Sequence, residues 1–161
     1  MKKMRFFAML TMAATMIFTF NSCDKDDDGD DFVVNTGGYN QTWVNEFTDN
    51  GVLFSFGELF DDGSTLSYAM KSEKKRNWVV YKDFYTYDKS GIITNMTMDA
   101  ECSSEEYADE LENNLKEMEM NNGIKSYERS GVKFKAVYGD EYFSGYTKDD
   151  VLEEYEDRIR G

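Results

Sequence analysis

The sequence predicts an α+β domain built on an antiparallel sheet. Three observations lead there. Four segments between residues 52 and 98 carry the strand pattern, most clearly as two-residue alternation. After residue 103 the apolar spacing becomes helical, then gives a hairpin, then becomes helical again. The connections are short turns, so consecutive strands pair antiparallel and no βαβ repeat arises. The expected order is ββββ-α-ββ-α, with the first helix packed on one face of the sheet and a short helix at the C-terminus.

Residues 1–22 read as an export signal and stand outside the fold. Met1–Arg5 is basic. Phe6–Phe20 is an apolar run of 15 residues broken only by Thr11, Thr15 and Thr19. A membrane-spanning helix needs about 20 apolar residues, so a signal core fits better. Phe20-Asn21-Ser22-Cys23 follows where a cleavage site belongs. It resembles a lipobox, the motif at which the cysteine thiol is acylated and the chain is cut just before it. The usual Leu and small residue at its first two positions are replaced by Phe20 and Asn21, a departure found where the box is relaxed but still ends in Ser-Cys. The resemblance implies a lipid on Cys23 and an outer-membrane lipoprotein in the envelope of a Gram-negative bacterium.

Residues 23–41 read as the lipidated cysteine and its tether. Asp24 to Asp31 is an acidic block, which is extended and solvated by its own repulsion. It resembles the acid-rich signals that send some lipoproteins to the cell surface. In other Gram-negative systems an Asp directly after the cysteine retains the protein at the inner membrane; surface display is the expectation here. Asp24, Asp26, Asp28 and Gly29 also match the start of a calcium loop. The twelfth position is Asn35 rather than a bidentate Glu, and no amphipathic helix flanks the loop, so tether is the preferred reading. Phe32 to Gln41, centred on Asn35-Thr36-Gly37-Gly38, continues as linker.

The single domain is expected over 42–161. Val52, Phe54 and Phe56 alternate as a strand, and Asp61-Asp62-Gly63-Ser64 turns into Leu66, Tyr68 and Met70. Ser72 to Arg76 reads as a basic loop. Trp78 to Tyr87 is a long aromatic strand, Asp88-Lys89-Ser90-Gly91 turns it, and Ile92, Thr94, Met96 and Met98 line the next. Ser103 with Glu106 forms a capping box before Tyr107, Ala108, Leu111, Leu115 and Met118 at helical spacing. Asn122-Gly123 offers the left-handed conformation that ends a helix. Ile124–Tyr127 and Val132–Tyr138 flank a turn at Glu128–Gly131. Thr147 with Asp150 caps a last amphipathic helix carrying Val151, Leu152, Tyr155 and Ile159. The stretch from Asp88 to Arg158, with its D-x-x-G turn, capped helix, hairpin and Ser-Gly-Tyr-Thr-Lys approach to a final helix, resembles small exported bacterial lipoproteins. No activity is implied by that resemblance.

Composition narrows the function classes. Without Lys2, Lys3 and Arg5 the mature chain carries 15 basic against 32 acidic residues, a net charge of −17. Such a charge repels phosphate backbones and anionic headgroups, which argues against nucleic acid as a partner and for lipid as the membrane anchor. The chain has no histidine, which removes Ser-His-Asp and Cys-His catalysis and histidine-bearing zinc sites. Cys102 has no intramolecular partner once Cys23 is acylated, and reads as structural. The acidic pairs Asp61–Asp62, Glu105–Glu106, Asp149–Asp150 and Glu153–Glu154 lie adjacent in turns and helix starts, not facing across a cleft as glycoside cleavage requires.

The functional expectation is therefore a non-catalytic binding or interaction module for protein or glycan, with no cofactor beyond the covalent lipid. One alternative is a small acidic inhibitor of a basic enzyme, favoured by charge steering. A carboxylate-based hydrolase is a second. The expected binding residues are Tyr81, Tyr85 and Tyr87, which share one face of the long strand with Asp83. Trp78, Val80 and Phe84 share the other face and are expected to be core, while the tyrosine face, with its hydroxyls and a charge, is expected towards solvent.

Overall fold

The structure, a computed structural model, describes residues 32–39 and 41–160. The signal segment, Cys23 and the acidic block with Asp24, Asp26 and Asp28 lie outside the described residues.

Among the described residues eight strands and three helices follow in order: β1 Trp43–Asp49, β2 Val52–Gly57, β3 Phe60–Asp61, β4 Thr65–Lys74, β5 Asn77–Tyr87, β6 Ile93–Cys102, α1 Glu105–Met120, β7 Ile124–Ser130, β8 Lys133–Tyr138, α2 Asp140–Phe143 and α3 Lys148–Arg160. All strands pair antiparallel in one sheet of order β1-β2-β4-β5-β6-β8-β7. The class is α+β, as expected, with six strands rather than four before the first helix.

The two additional strands have local causes. β1 and β2 join through Asn50-Gly51, both with positive φ (49° and 78°), the turn whose twist matches that of paired strands. β3 extends the line of β2 along β4, pairing Phe60 with Ser67 and Asp61 with Leu66. The basic loop expected at Ser72–Arg76 is shorter than supposed. Lys74 pairs with Asn77, so Ser72–Lys74 belong to β4 and only Lys75-Arg76 turn, Lys75 taking φ 63°. The second hairpin likewise tightens to Gly131-Val132, because Ser130 pairs with Lys133.

The helix caps follow hydrogen-bond logic. The side chain of Ser104, not Ser103, accepts from the Tyr107 amide and caps α1. Ser103 instead accepts from the Trp78 amide and ties the helix start to β5. Asn122 (φ 57°) ends α1 where expected. Thr147 and Asp150 exchange side chain and amide hydrogen bonds at the start of α3.

All three helices lie against one face of the sheet. α1 buries Tyr107, Ala108, Leu111 and Leu115 over the β6 and β7 side, while α3 sets Tyr155 against Tyr68, with its hydroxyl donating to the Gly57 carbonyl at 2.8 Å. α2 brings Tyr142 to Tyr138 at 4.8 Å between ring centres. The core between sheet and helices holds Phe54, Phe56, Leu66, Met96, Met98 and Phe134. Arg129 of β7 clamps α1 from outside with 2.7 Å contacts to Glu105, Asp109 and Glu112.

This arrangement corrects the face assignment of β5. Tyr81 and Tyr85 are 9% and 1% exposed and Asp83 is 2% exposed, so the tyrosine face is the core face. Helices on both halves of the sheet cover that side, which outweighs the preference of hydroxyls for water. Tyr85 packs on Tyr68 with ring centres 6.1 Å apart. Asp83 accepts from the Tyr138 hydroxyl at 3.3 Å. Burial pushes its carboxyl up to about 7, offset in part by Arg158, so the acid sits protonated over much of the acidic range. The charge that was expected to turn this face outward is thus suppressed.

Candidate functional site

The burial of Tyr81 and Tyr85 leaves them no surface to offer a ligand. Tyr87, at the end of β5, is half-buried. Its hydroxyl donates to Asp61 at 2.7 Å and Lys148 lies over its ring at 4.7 Å. Asp61 also takes hydrogen bonds from Lys148 and the Gly63 amide, and these hold its carboxyl down at about 2. That cluster is a staple between β3, β5 and α3. The three tyrosines therefore do not form a row.

The other face of the sheet is the candidate. Strand register places Trp78, Val80, Lys82, Phe84 and Thr86 of β5 there, with Glu73, Lys71, Ala69, Ser67 and Thr65 of β4 directly opposite them in that order. Trp43 of β1 joins them opposite Gly57. Trp43, Trp78, Lys82 and Phe84 are each half-buried. Farther across, Lys82 faces Asp99, Asp99 faces Lys135 and Lys135 faces Glu128. Such cross-strand alternation of charge suits a solvated sheet face.

One segment covers part of this face. Residues 32–39 have no regular secondary structure, as expected of a linker, yet they lie against the sheet. The Lys135 ammonium is 5.8 Å from the Phe32 ring centre, on β8. The Asn35 amide donates to Asp99 of β6 at 2.7 Å. The Tyr39 ring stacks on Trp78 of β5 at 4.9 Å. The segment thus crosses β8, β6 and β5 in turn. Gly37 and Gly38, with φ 78° and 75°, provide the bend before Tyr39.

The crossing ends in a compact slot. The Lys71 ammonium lies 4.5 Å from the centre of the Tyr39 ring and 5.2 Å from that of Trp43. It also pairs with Glu73 at 3.2 Å. Glu73 in turn accepts from the Tyr39 hydroxyl at 2.8 Å. Lys71 is only 6% exposed, and the carboxylate with two aromatic faces supplies the partners that a buried ammonium requires. The Glu73 hydrogen bond raises the Tyr39 phenol above its ordinary value, with lesser contributions from burial and from the charges of Glu73 and Glu46. Val80, at 0% exposure, forms the floor opposite Lys71.

Cys102 is buried at the end of β6, and burial pushes its thiol well up, so it stays protonated. Among the described residues no group of carboxylates or thiols is disposed to hold a metal ion. No helix among them is long and apolar enough to cross a membrane. Of the slot residues, Trp78 was singled out from sequence but assigned to the core; Tyr39, Trp43, Lys71 and Glu73 were not. The available signal was the pair Lys71 and Glu73 on one strand face with Trp78 opposite, but it depends on register, which the sequence shows only once Lys75-Arg76 is known to be the turn.

Comparison with protein-family models, with curated proteins and with solved structures finds no match to this chain.

Proposed function

We propose that the chain is a lipoprotein, anchored through a lipid on Cys23 in the outer membrane and displayed at the surface, that binds a protein or glycan without catalysing a reaction. The binding part of this reading rests on one observation. The sheet face opposite the helices carries half-buried Trp43, Trp78 and Phe84 beside Lys71 and Lys82, in a chain otherwise dominated by acids. Partly accessible aromatics with interspersed polar groups are what interaction surfaces present, because rings supply contact area at low entropy cost.

The non-catalytic part is supported by the lack of histidine and by where the carboxyl groups sit. Asp83, whose carboxyl is pushed up by burial, is sealed in the core away from solvent. Asp61 and Asp62 are both held low by hydrogen bonds of their own turn and its neighbours. The acids along α1 and α3 favour a second reading, an inhibitor that meets a basic enzyme through its helical layer.

Two measurements test the proposal. Mass spectrometry of the protein from native membranes is expected to find acyl chains on Cys23 as the mature N-terminus. Arrays of glycans and secreted proteins are expected to yield a ligand retained by the native chain and lost by Phe84→Ala and Trp78→Ala. A ligand held equally by those variants but lost on neutralising the α1 acids would replace the sheet-face reading with the inhibitor reading.

A further inference from the structure

We propose that the slot formed by Trp43, Lys71, Glu73 and Trp78 is a recognition pocket for a phenol side chain, filled at rest by the chain's own Tyr39 and opened to a tyrosine in an extended segment of a partner protein. The inference rests on the reading of this sheet face as a binding surface and names what it binds.

Three features of the slot each answer one feature of a phenol. Trp78 supplies a stacking plane at 4.9 Å for the ring. The Lys71 ammonium lies towards the same ring at 4.5 Å, where the ring's negative face attracts it. Glu73 supplies an acceptor for the hydroxyl at 2.8 Å. A phenylalanine satisfies the first two and leaves the carboxylate without its donor. A sugar ring stacks on Trp78 but offers Lys71 no π face. The complementarity therefore selects tyrosine.

The occupant is held in a way that suits exchange. Residues 32–39 add no strand to the sheet; they are held by the Tyr39 ring and hydroxyl, the Asn35 amide and the Phe32 ring, with Thr36 the one fully buried side chain of the segment. Tyr39 is tethered to β1 close to the turn in which the Gln41 amide donates to the Gly38 carbonyl, and against a tethered occupant at an effective concentration of about millimolar a partner offering several contacts beyond the tyrosine displaces the strap. The strap leads directly back to the acidic block and Cys23, so its release also lengthens the chain between membrane and domain.

The chain has two tryptophans, and both border the slot, so indole fluorescence reads this site without interference. The test uses the full chain, as its host produces it, carrying Tyr39→Ala. The probe is an acetylated peptide of residues 32–39, with versions ending in Phe or Ala. The variant is expected to keep a cooperative melt and to gain iodide quenching of its indoles. The tyrosine peptide should reverse that gain saturably. The Phe version should bind at least about tenfold more weakly, since a hydrogen bond to a charged group is lost, and Glu73→Gln should narrow that difference. Equal binding of the Tyr, Phe and Ala peptides, or none at millimolar concentration by a folded variant, overturns the proposal. Loss of the cooperative melt in Tyr39→Ala also overturns it, because the tyrosine is then part of the core. Reversal by an oligosaccharide but not by the tyrosine peptide overturns phenol recognition while leaving the sheet face as a binding surface. A natural partner bound undiminished by Trp78→Ala sinks that wider reading.

Discussion

Both faces of this sheet carry aromatic residues, more of them on the helical side, and use them for opposite ends. On the helical side, Tyr68, Tyr81, Tyr85 and Tyr138 are sealed around Asp83. On the other side, Trp43, Trp78 and Phe84 stay half-buried beneath an irregular strap or beside it. The difference lies in what covers each face. A helix satisfies its own backbone and brings a continuous apolar stripe, so it buries a sheet face completely. A strap of eight residues brings two rings and a few polar groups, and leaves a surface that is occupied but open to exchange.

The largest expected effect breaks this comparison on the helical side. Replacing Tyr81 and Tyr85 together by Ser should abolish a cooperative melt, and Tyr85→Ala alone should cost about 3–5 kcal/mol in chemical denaturation. The sequence-based expectation that the tyrosine face turns towards solvent implies the reverse, a tolerance of such changes. A loss within about 0.5 kcal/mol, typical of exposed sites, would return the tyrosines to the surface.

Asp83 provides the next test. Its carboxyl is raised to about 7 in the fold from an ordinary 3.8, so the folded state holds the proton more tightly than the unfolded chain. Its contribution is fully present below about pH 4 and is lost as pH rises through 7. The span corresponds to about 4 kcal/mol. Asp83→Asn should remove that fall in stability between pH 4 and 7 when denaturation curves are compared with the native chain. Identical pH profiles for the two proteins would show that Asp83 is ionised and paired throughout.

Much of the fold was legible because it is local. Asn122-Gly123, Asp88 to Gly91 and Thr147 with Asp150 each place a turn, stop or cap within a few residues, and the structure keeps them all. The face of β5 was not legible, because alternation assigns residues to two faces without saying which one the helices cover. Asp83 was weighed as a charge, whereas burial under the helices pushes its carboxyl up to about 7 against the opposing pull of Arg158 and Tyr138. β1 was missed although Asn50-Gly51 marks its hairpin, since Trp43 to Asp49 has few apolar residues on an edge strand. The slot was hidden for a further reason: its parts come from residue 39, β1, β4 and β5, and only three-dimensional register unites them.

A smaller effect concerns Cys102. Its buried, protonated thiol should resist a disulfide reagent in the native protein and react once denaturant unfolds it. Rapid labelling without denaturant would mean that the β6 to α1 junction opens readily. The smallest stability change is expected at Tyr39. Tyr39→Ala should cost about 1 kcal/mol, the scale of one aromatic contact and its hydrogen bond, although it uncovers the Lys71 site.

The division between a sealed face and an exchangeable one is tested most directly by amide hydrogen exchange, followed residue by residue in native buffer. The Asn35 amide, bonded to Asp99, should exchange through local release of the strap, orders of magnitude faster than amides of β5 such as Val80 and Tyr85. Its rate should rise in Tyr39→Ala while the β5 amides keep theirs. Exchange of Asn35 and β5 at one common rate, limited by global unfolding, would show that the strap is part of the cooperative core and would contradict the account.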